Sequence, residues 1–268
     1  MSNRNRSRGT KGPLVWPLAV AIPGLLLLLS NFFLLPGDFN LLDLWPILLV
    51  LFGAQVLLRG DLVPGRDFRT FGITRGSIES ATIEINSGEI DVTIRALQTR
   101  NTERLIAGQY ANQARPDLDV QDVHAYLIMD RSKTPWLSFA DWEMGISQDL
   151  PWQIVASSYF GQVNADFNHV IIQNALINTG IGDIHFVCPS EAFETIYLRS
   201  LFGNITVLTP ESYNVRITVD GGRFSGLNID ESRYEEIEPG IYASRNIDDD
   251  LAHVDVVVSG TFGDAYLS

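Results

Sequence analysis

Hydrophobic and polar residues alternate along most of residues 76–268, and the helical spacing of apolar residues is almost missing there. In the stretch "IHFV" of residues 184–187, for example, Ile184 and Phe186 would face one side and His185 the other. Strict alternation is typical of β-strands that bury one face, because successive side chains of a strand point to opposite sides. The pattern therefore predicts an all-β domain over residues 76–268.

A repeated motif organises this alternation: a strand runs into a glycine, and a second strand leaves with apolar residues two and four positions later. Six copies align on one glycine each, namely Gly88, Gly161, Gly182, Gly203, Gly222 and Gly263. Glycine tolerates the positive φ angles of sharp turns, and the central copies recur every 21 residues, a spacing typical of a short stacked β unit. We predict that these glycines are structural turns in a β-solenoid or roll-like stack of about 20-residue repeats. An antiparallel β-sandwich of hairpins is the alternative that the same alternation supports.

The last copy of the motif ends at Ser268, inside the repeat. A stack that stops there would leave a strand edge with unpaired backbone groups, and such an edge favours pairing with another chain. We therefore expect self-association into a homo-oligomer through this last repeat.

The repeat lapses between residues 97 and 151, and an aromatic insertion lies near residues 131–153. This insertion holds four large aromatic residues, Trp136, Phe139, Trp142 and Trp152. One interpretation is a cap that closes the hydrophobic end of the stack, since open stacks need capping. The other is that exposed aromatic side chains contact a partner or a membrane surface.

Two apolar runs precede the alternating region. Residues 14–35 are 22 residues without a charge, which is enough for a helix to cross a bilayer. Residues 44–58 form a second run of 15 residues, short for a span. We predict a basic tail over residues 1–13, a transmembrane helical hairpin over 14–60 and a linker over 61–75. A cleaved signal peptide is less favoured, because the first run is too long and no small-residue cleavage site follows it.

Basic residues flank the predicted hairpin on both sides, with Arg4 and Lys11 before it and Arg59 after it, whereas the loop between the runs is acidic. The positive-inside rule then predicts a two-segment membrane protein with the β domain on the cytoplasmic side. If the second run only dips into the membrane, the β domain lies outside instead.

Charge and cysteine content exclude several classes of function. Residues 61–268 hold 14 basic and 30 acidic residues, so we expect no nucleic-acid partner, because phosphate binding depends on clustered Lys and Arg. Cys188 is the only cysteine, which excludes an intrachain disulfide and a cysteine-based zinc site.

The stretch "TGIGDIHF" of residues 179–186 contains a G-x-G that could be a phosphate loop, a metal site or a turn. A phosphate loop needs a helix after the glycines, but a strand pattern follows here. The four histidines are scattered without the spacing of a metal site, and no G-x-S-x-G motif is present. We predict no catalytic, cofactor-binding or metal-binding residues and therefore no enzyme; Asp183 and His185 are outward residues of a repeat.

The segment of residues 31–60, "NFFLLPGDFNLLDLWPILLVLFGAQVLLRG", resembles the LiaI/LiaF-like bacterial transmembrane hairpin through "DLWP" (43–46) and "LLR" (57–59). The repeats at residues 81–94 and 142–210 resemble the toast-rack and LiaF C-terminal β domain. This resemblance implies a non-enzymatic regulator of envelope stress signalling, anchored in the bacterial cell membrane, that acts on a sensor kinase. The alternatives are an extracytoplasmic scaffold or adhesin-like protein and, by fold analogy alone, a carbohydrate-active enzyme.

Overall fold

The computed structural model describes residues 68–98, 103–111, 115–131, 141–245 and 253–268. The predicted basic tail, the transmembrane hairpin, Trp136 and Phe139 lie outside these ranges. Inside them, no helix is long and apolar enough to cross a membrane.

Eighteen strands in the described ranges are hydrogen-bonded into one sheet, which confirms the predicted all-β class. The strands are β1 (Phe68–Thr74), β2 (Ser80–Gly88), β3 (Val92–Ala96), β4 (Arg104–Ala111), β5 (Asp117–Gln121), β6 (His124–Asp130), β7 (Trp142–Ile146), β8 (Pro151–Phe160), β9 (Val163–Asp166), β10 (Ile171–Ile181), β11 (Ile184–Val187), β12 (Glu191–Ala192), β13 (Ile196–Phe202), β14 (Ile205–Leu208), β15 (Asn214–Ile229), β16 (Tyr234–Glu238), β17 (Ile241–Ser244) and β18 (His253–Leu267). Strand β1 lies within residues 61–75, the segment predicted as a linker. It belongs to the sheet, because its backbone pairs antiparallel with β4.

Each repeat contributes one rung, which consists of a first strand, a turn and a second strand. Successive rungs pair in parallel and in register: Ile154 of β8 pairs with Ala175 of β10, which pairs with Ile196 of β13. The second strands β9, β11 and β14 pair in the same way. The 21-residue spacing in the sequence is thus the chain length between two directly paired residues.

The rungs are not stacked in sequence order. From one end to the other, the order is β6 and β7, β2 and β3, β8 and β9, β10 and β11, β13 and β14, then β18, then β15. Strands β15 and β18 are each long enough to form both halves of a rung.

The last repeat is therefore not an edge, and the expectation of an unpaired edge there is wrong. Strand β18 pairs with β13 and β14 on one side and with β15 on the other. The chain returns after β17 and inserts its last strand between two rungs that were formed earlier in the sequence.

Antiparallel pairing, which a sandwich of hairpins would use throughout, occurs in the described ranges only at the two ends of the stack. At one end β1 and β4 extend the second strands beyond β7, and β5 extends the first strands beyond β6. At the other end β17 and β16 extend the first-strand side of β15.

The core is a set of aligned apolar columns inside the bend between first and second strands. One column of the first strands contains Ile83, Ile154, Ala175, Ile196, Val256 and Ile217, and one of the second strands contains Ile94, Ala165, Phe186, Val207 and Leu267. All of these side chains are buried. The alternation therefore buries one face along the whole stack, as the sequence pattern predicts.

Candidate functional site

Four turn glycines lie directly above one another where first and second strands meet. A Cβ atom on Gly182 would overlap with the carbonyl oxygen of Gly161, one on Gly203 with that of Gly182, and one on Gly263 with that of Gly203. The φ angles of these last three glycines are +153°, +147° and +128°, which side chains rarely allow. The corner of the stack therefore requires glycine for both space and backbone conformation.

Gly88 does not join this column. It has a φ of +64° and pairs with Ser158, three residues before Gly161, with which the sequence motif matches it. The carbonyl oxygen of Ile90 lies beneath Gly161 instead. Two residues of this offset run along the whole pair, since Ile83 pairs with Ile154 and Ile94 with Ala165, and the register shift between Asn86 and Gly88 adds the third.

Gly222 also lies away from the column. Strand β15 has an irregularity between Gly221 and Phe224, and Ser225 pairs with Gly263. Val215 already pairs with Val254, two residues before the Val256 that the sequence motif matches with it, and the bulge adds one further residue to β15.

Hydroxyl groups line the inner side of the corner. Ser158, Thr179 and Ser200 are buried and occupy equivalent positions in successive rungs. Thr179 Oγ1 and Ser200 Oγ both donate to the carbonyl oxygen of Gly182, at 3.0 and 3.3 Å. These bonds satisfy a carbonyl that the turn directs inward.

Carboxylate and amide side chains line the outer side, one residue after each turn. Asp183 Oδ1 accepts a hydrogen bond from the backbone N–H of Asn204 at 2.7 Å. The side-chain Oδ1 of Asn204 in turn accepts one from the backbone N–H of Asp264 at 2.9 Å. Asp264 Oδ1 accepts from the Gly226 amide at 3.0 Å, and Asp91 Oδ1 from the Gln162 amide at 2.7 Å. Aspartates alternate with Gln162 and Asn204 along this ladder, which keeps like charges from lying directly opposite.

The residue before each turn glycine forms an apolar ridge along the corner. We define the apolar ridge as Phe160, Ile181, Phe202 and Phe262, which pair in register through consecutive rungs. Their side chains are 57, 50, 44 and 38% exposed, respectively. At about 4.8 Å per rung, the ridge is roughly 14 Å long.

The ridge is ordered by contacts between neighbouring rungs. The rings of Phe202 and Phe262 are stacked, with centroids 4.7 Å apart and an interplanar angle of 1°. Tyr159 and Leu201, 66 and 50% exposed, widen the apolar surface on the side of the first strands. Large apolar side chains held on a rigid backbone and exposed to water form a surface suited to contact with another molecule.

The sequence motif contained a signal for the ridge, because a large apolar residue precedes the glycine in "FG", "IG", "FG" and "FG" of the stacked copies. Alternation along the first strands, however, assigns that position to the inner face, together with Ser158, Thr179 and Ser200, so the exposure of the ridge results from the turn. The glycine spacing alone does not identify these residues.

Two of the four aromatic residues predicted as possible partner contacts, Trp142 and Trp152, lie in the described ranges. Trp142 and Trp152 are buried, and Trp152 Nε1 donates to the carbonyl oxygen of Ser147 at 2.9 Å. Trp142 pairs with Val92 and Trp152 with Ile172, so both side chains face the core. These two tryptophans therefore do not form an exposed contact surface.

In the described ranges, one buried group brings together a thiol, a phenol and a hydroxyl, those of Cys188, Tyr234 and Thr209. Burial raises the pKa of the Cys188 thiol to about 12, and its Sγ lies 3.5 Å from the hydroxyl oxygen Thr209 Oγ1. Burial also raises the pKa of Tyr234 to about 12, and its hydroxyl donates to the same Thr209 oxygen. Among the described residues, no three His, Cys, Asp or Glu side chains are grouped to hold a metal ion.

No protein-family model matches the chain, and no curated protein sequence matches it. The crystal structure of a proposed cell adhesion protein from Clostridium sporogenes is similar, with a TM-score of 0.62 and 16% identity over 75% of this chain and 98% of that one. A proposed adhesin from Bacteroides fragilis aligns with a TM-score of only 0.30 at 10% identity, over 76% of this chain and 99% of that one. The first likeness shows a shared β fold.

Proposed function

We propose that the chain is a membrane-tethered, non-enzymatic binding scaffold of adhesin type, which contacts its partner through the apolar ridge. The ridge is the observation that carries this proposal, because it exposes four large apolar side chains in register on a rigid corner. Burying one such side chain contributes up to about 1.5–3 kcal/mol to binding, before the entropy of association is subtracted. The fold likeness to a proposed cell adhesion protein supports the same reading.

The tether in this proposal is the apolar segment of residues 14–35, and an adhesin must present the β domain outside the membrane. Binding needs no reactive group, and burial keeps the Cys188 thiol protonated. The acidic surface keeps the domain away from anionic lipid headgroups, so the ridge is free to contact a protein partner.

The test is adhesion between cells that express the full chain. Cells with the wild-type chain are expected to aggregate, and cells with Phe160→Ser and Phe202→Ser together to lose aggregation at equal surface level. The matched control is Val155→Ser with Tyr197→Ser, which removes two side chains of similar exposure from the outer face of the first strands. Equal aggregation with the ridge variant would contradict the proposal.

A second candidate is LiaF-type regulation of a sensor kinase, which the resemblance of residues 31–60 favours. It requires the β domain on the cytoplasmic side, so topology separates the two candidates. A reporter that is active only outside the membrane, joined after Ser268 by a flexible linker, is expected to be active for an adhesin. Activity of a cytoplasmic reporter alone would favour the regulator.

A further inference from the structure

Within the part of the chain that the structure describes, four strand segments form the edges at the two ends of the stack, and three of them carry charges. Strand β5 contains two aspartates, β16 three glutamates and β1 one arginine. The fourth edge is residues 224–229 of β15, "FSGLNI", which contains no charged residue. Charges on edge strands prevent pairing with other chains, so this edge lacks the protection that the others have.

The backbone of this segment presents a regular set of hydrogen-bonding groups. In the described ranges, residues 224–229 pair only with β18. The Gly226 amide donates to Asp264 and the Asp230 amide to Leu267, both towards β18. Because successive residues of a strand direct their backbone groups to opposite sides, the N–H and C=O groups of Ser225, Leu227 and Ile229 point away from the stack.

The interior of the stack is also open beside this edge. A cavity of about 200 Å3 lies there, lined by glycines and by Ile205, Val219, Leu227, Val258, Asp264 and Ala265. Strands β17 and β16 extend the first-strand side of this end, whereas the second-strand side ends at residues 224–229. Leu227 pairs with Ala265, whose side chain faces the core, so Leu227 borders the opening and is 38% exposed.

We propose that residues 224–229 pair antiparallel with the same segment of a second copy of this chain. A twofold axis at Leu227 places Leu227 opposite its counterpart, and Ser225 opposite Ile229 of the other copy. All outward backbone groups of the segment then find partners, and the two Leu227 side chains lie on one face and cover both openings.

Charge favours a second copy of this chain as the partner of this edge, and it predicts that the dimer is weak at low salt. The incoming strand must be extended, unpaired and uncharged, and this chain itself supplies such a segment. The rest of the domain is strongly acidic, so two copies repel each other at long range. Raising the salt concentration from about 0.01 M to 0.15 M shortens the Debye length from ~30 Å to ~8 Å, which is expected to strengthen the dimer.

Disulfide trapping of the full chain tests the pairing directly. Leu227→Cys is expected to give a covalent dimer under mild oxidation, because the twofold axis brings the two Cα atoms to about 5.5 Å, within disulfide range. Native Cys188 is buried, so it is not expected to form an intermolecular disulfide. The control is Leu208→Cys, which is 43% exposed but lies at the end of β14, away from this edge. Equal trapping at both positions would overturn the proposal.

Sedimentation of the full chain in detergent gives a second measurement without a new cysteine. Leu227→Lys is expected to weaken dimerisation about tenfold, because it removes an apolar contact and places two like charges opposite each other. Leu208→Lys should leave the dimer unchanged. The proposal would also be overturned if the wild-type chain stays monomeric at high salt, or if Leu227→Lys leaves the dissociation constant of the dimer unchanged. Neither result bears on adhesion through the ridge, which lies on other residues.

Discussion

Single residues of the stretch "TGIGDIHF" have separate tasks in the corner. Thr179 donates to the turn carbonyl from inside, Gly182 makes the turn, and Asp183 accepts the amide of the next rung from outside. Ile181 belongs to the apolar ridge, and His185 lies exposed on the outer face of β11. A stretch that looks like a phosphate or metal site is therefore a complete turn unit.

Gly182→Ala tests the glycine column. The new Cβ would overlap with the carbonyl oxygen of Gly161 and would sit at a φ of +153°. Overpacking and backbone strain together predict a loss of about 3 kcal/mol or more in the free energy of unfolding. Urea denaturation measures this loss, and Gly72→Ala is the control, since the atoms nearest to its Cβ would belong to the flexible Arg104 side chain. Similar losses for both variants would mean that the corner does not require glycine.

At the corner, side chains join neighbouring rungs. The turn interrupts the ladder of backbone hydrogen bonds there, and a side-chain oxygen accepts the backbone N–H of the next rung instead. Asp183→Ala removes the acceptor of the Asn204 amide and is expected to cost about 1 kcal/mol of stability. Asp183→Asn keeps an Oδ1 acceptor in place, so it should retain most of the wild-type stability. Thermal unfolding of the two variants compares them, and equal destabilisation would indicate that the negative charge, rather than the hydrogen bond, matters.

Local pattern predicts the elements well but not their alignment. The alternation identifies inward residues such as Ile184 and Phe186, and the 21-residue spacing matches the pairing of β8, β10 and β13. It does not reveal the register shift before Gly88 or the bulge after Gly221, because an irregular residue leaves the sequence motif intact while it moves the backbone partner. The burial of Trp142 and Trp152 likewise follows from their pairing partners, which local pattern does not show.

At the scale of the whole molecule, the stack is closed by strands from distant parts of the chain. Strand β18 separates β13 and β14 from β15, although β15 precedes it in the sequence. The first repeat, β2 and β3, is similarly inserted between two later rungs. A one-dimensional repeat analysis assumes that neighbours in sequence are neighbours in space, so it cannot predict either insertion.

Removal of residues 253–268 tests the role of the inserted strand. Strand β18 buries Val254, Val256, Val258 and Leu267 between two rungs. At about 1.5–3 kcal/mol per buried side chain, this burial is comparable with the total stability of a domain. We expect the shortened chain to lose hydrogen-exchange protection throughout β15, and a synthetic peptide of residues 253–268 to restore it. A peptide with Val256→Asp and Val258→Asp is the control, because it places charges in the core and should not bind. Unchanged protection of β15 in the shortened chain would show that this rung is held by β17 and not by the last strand.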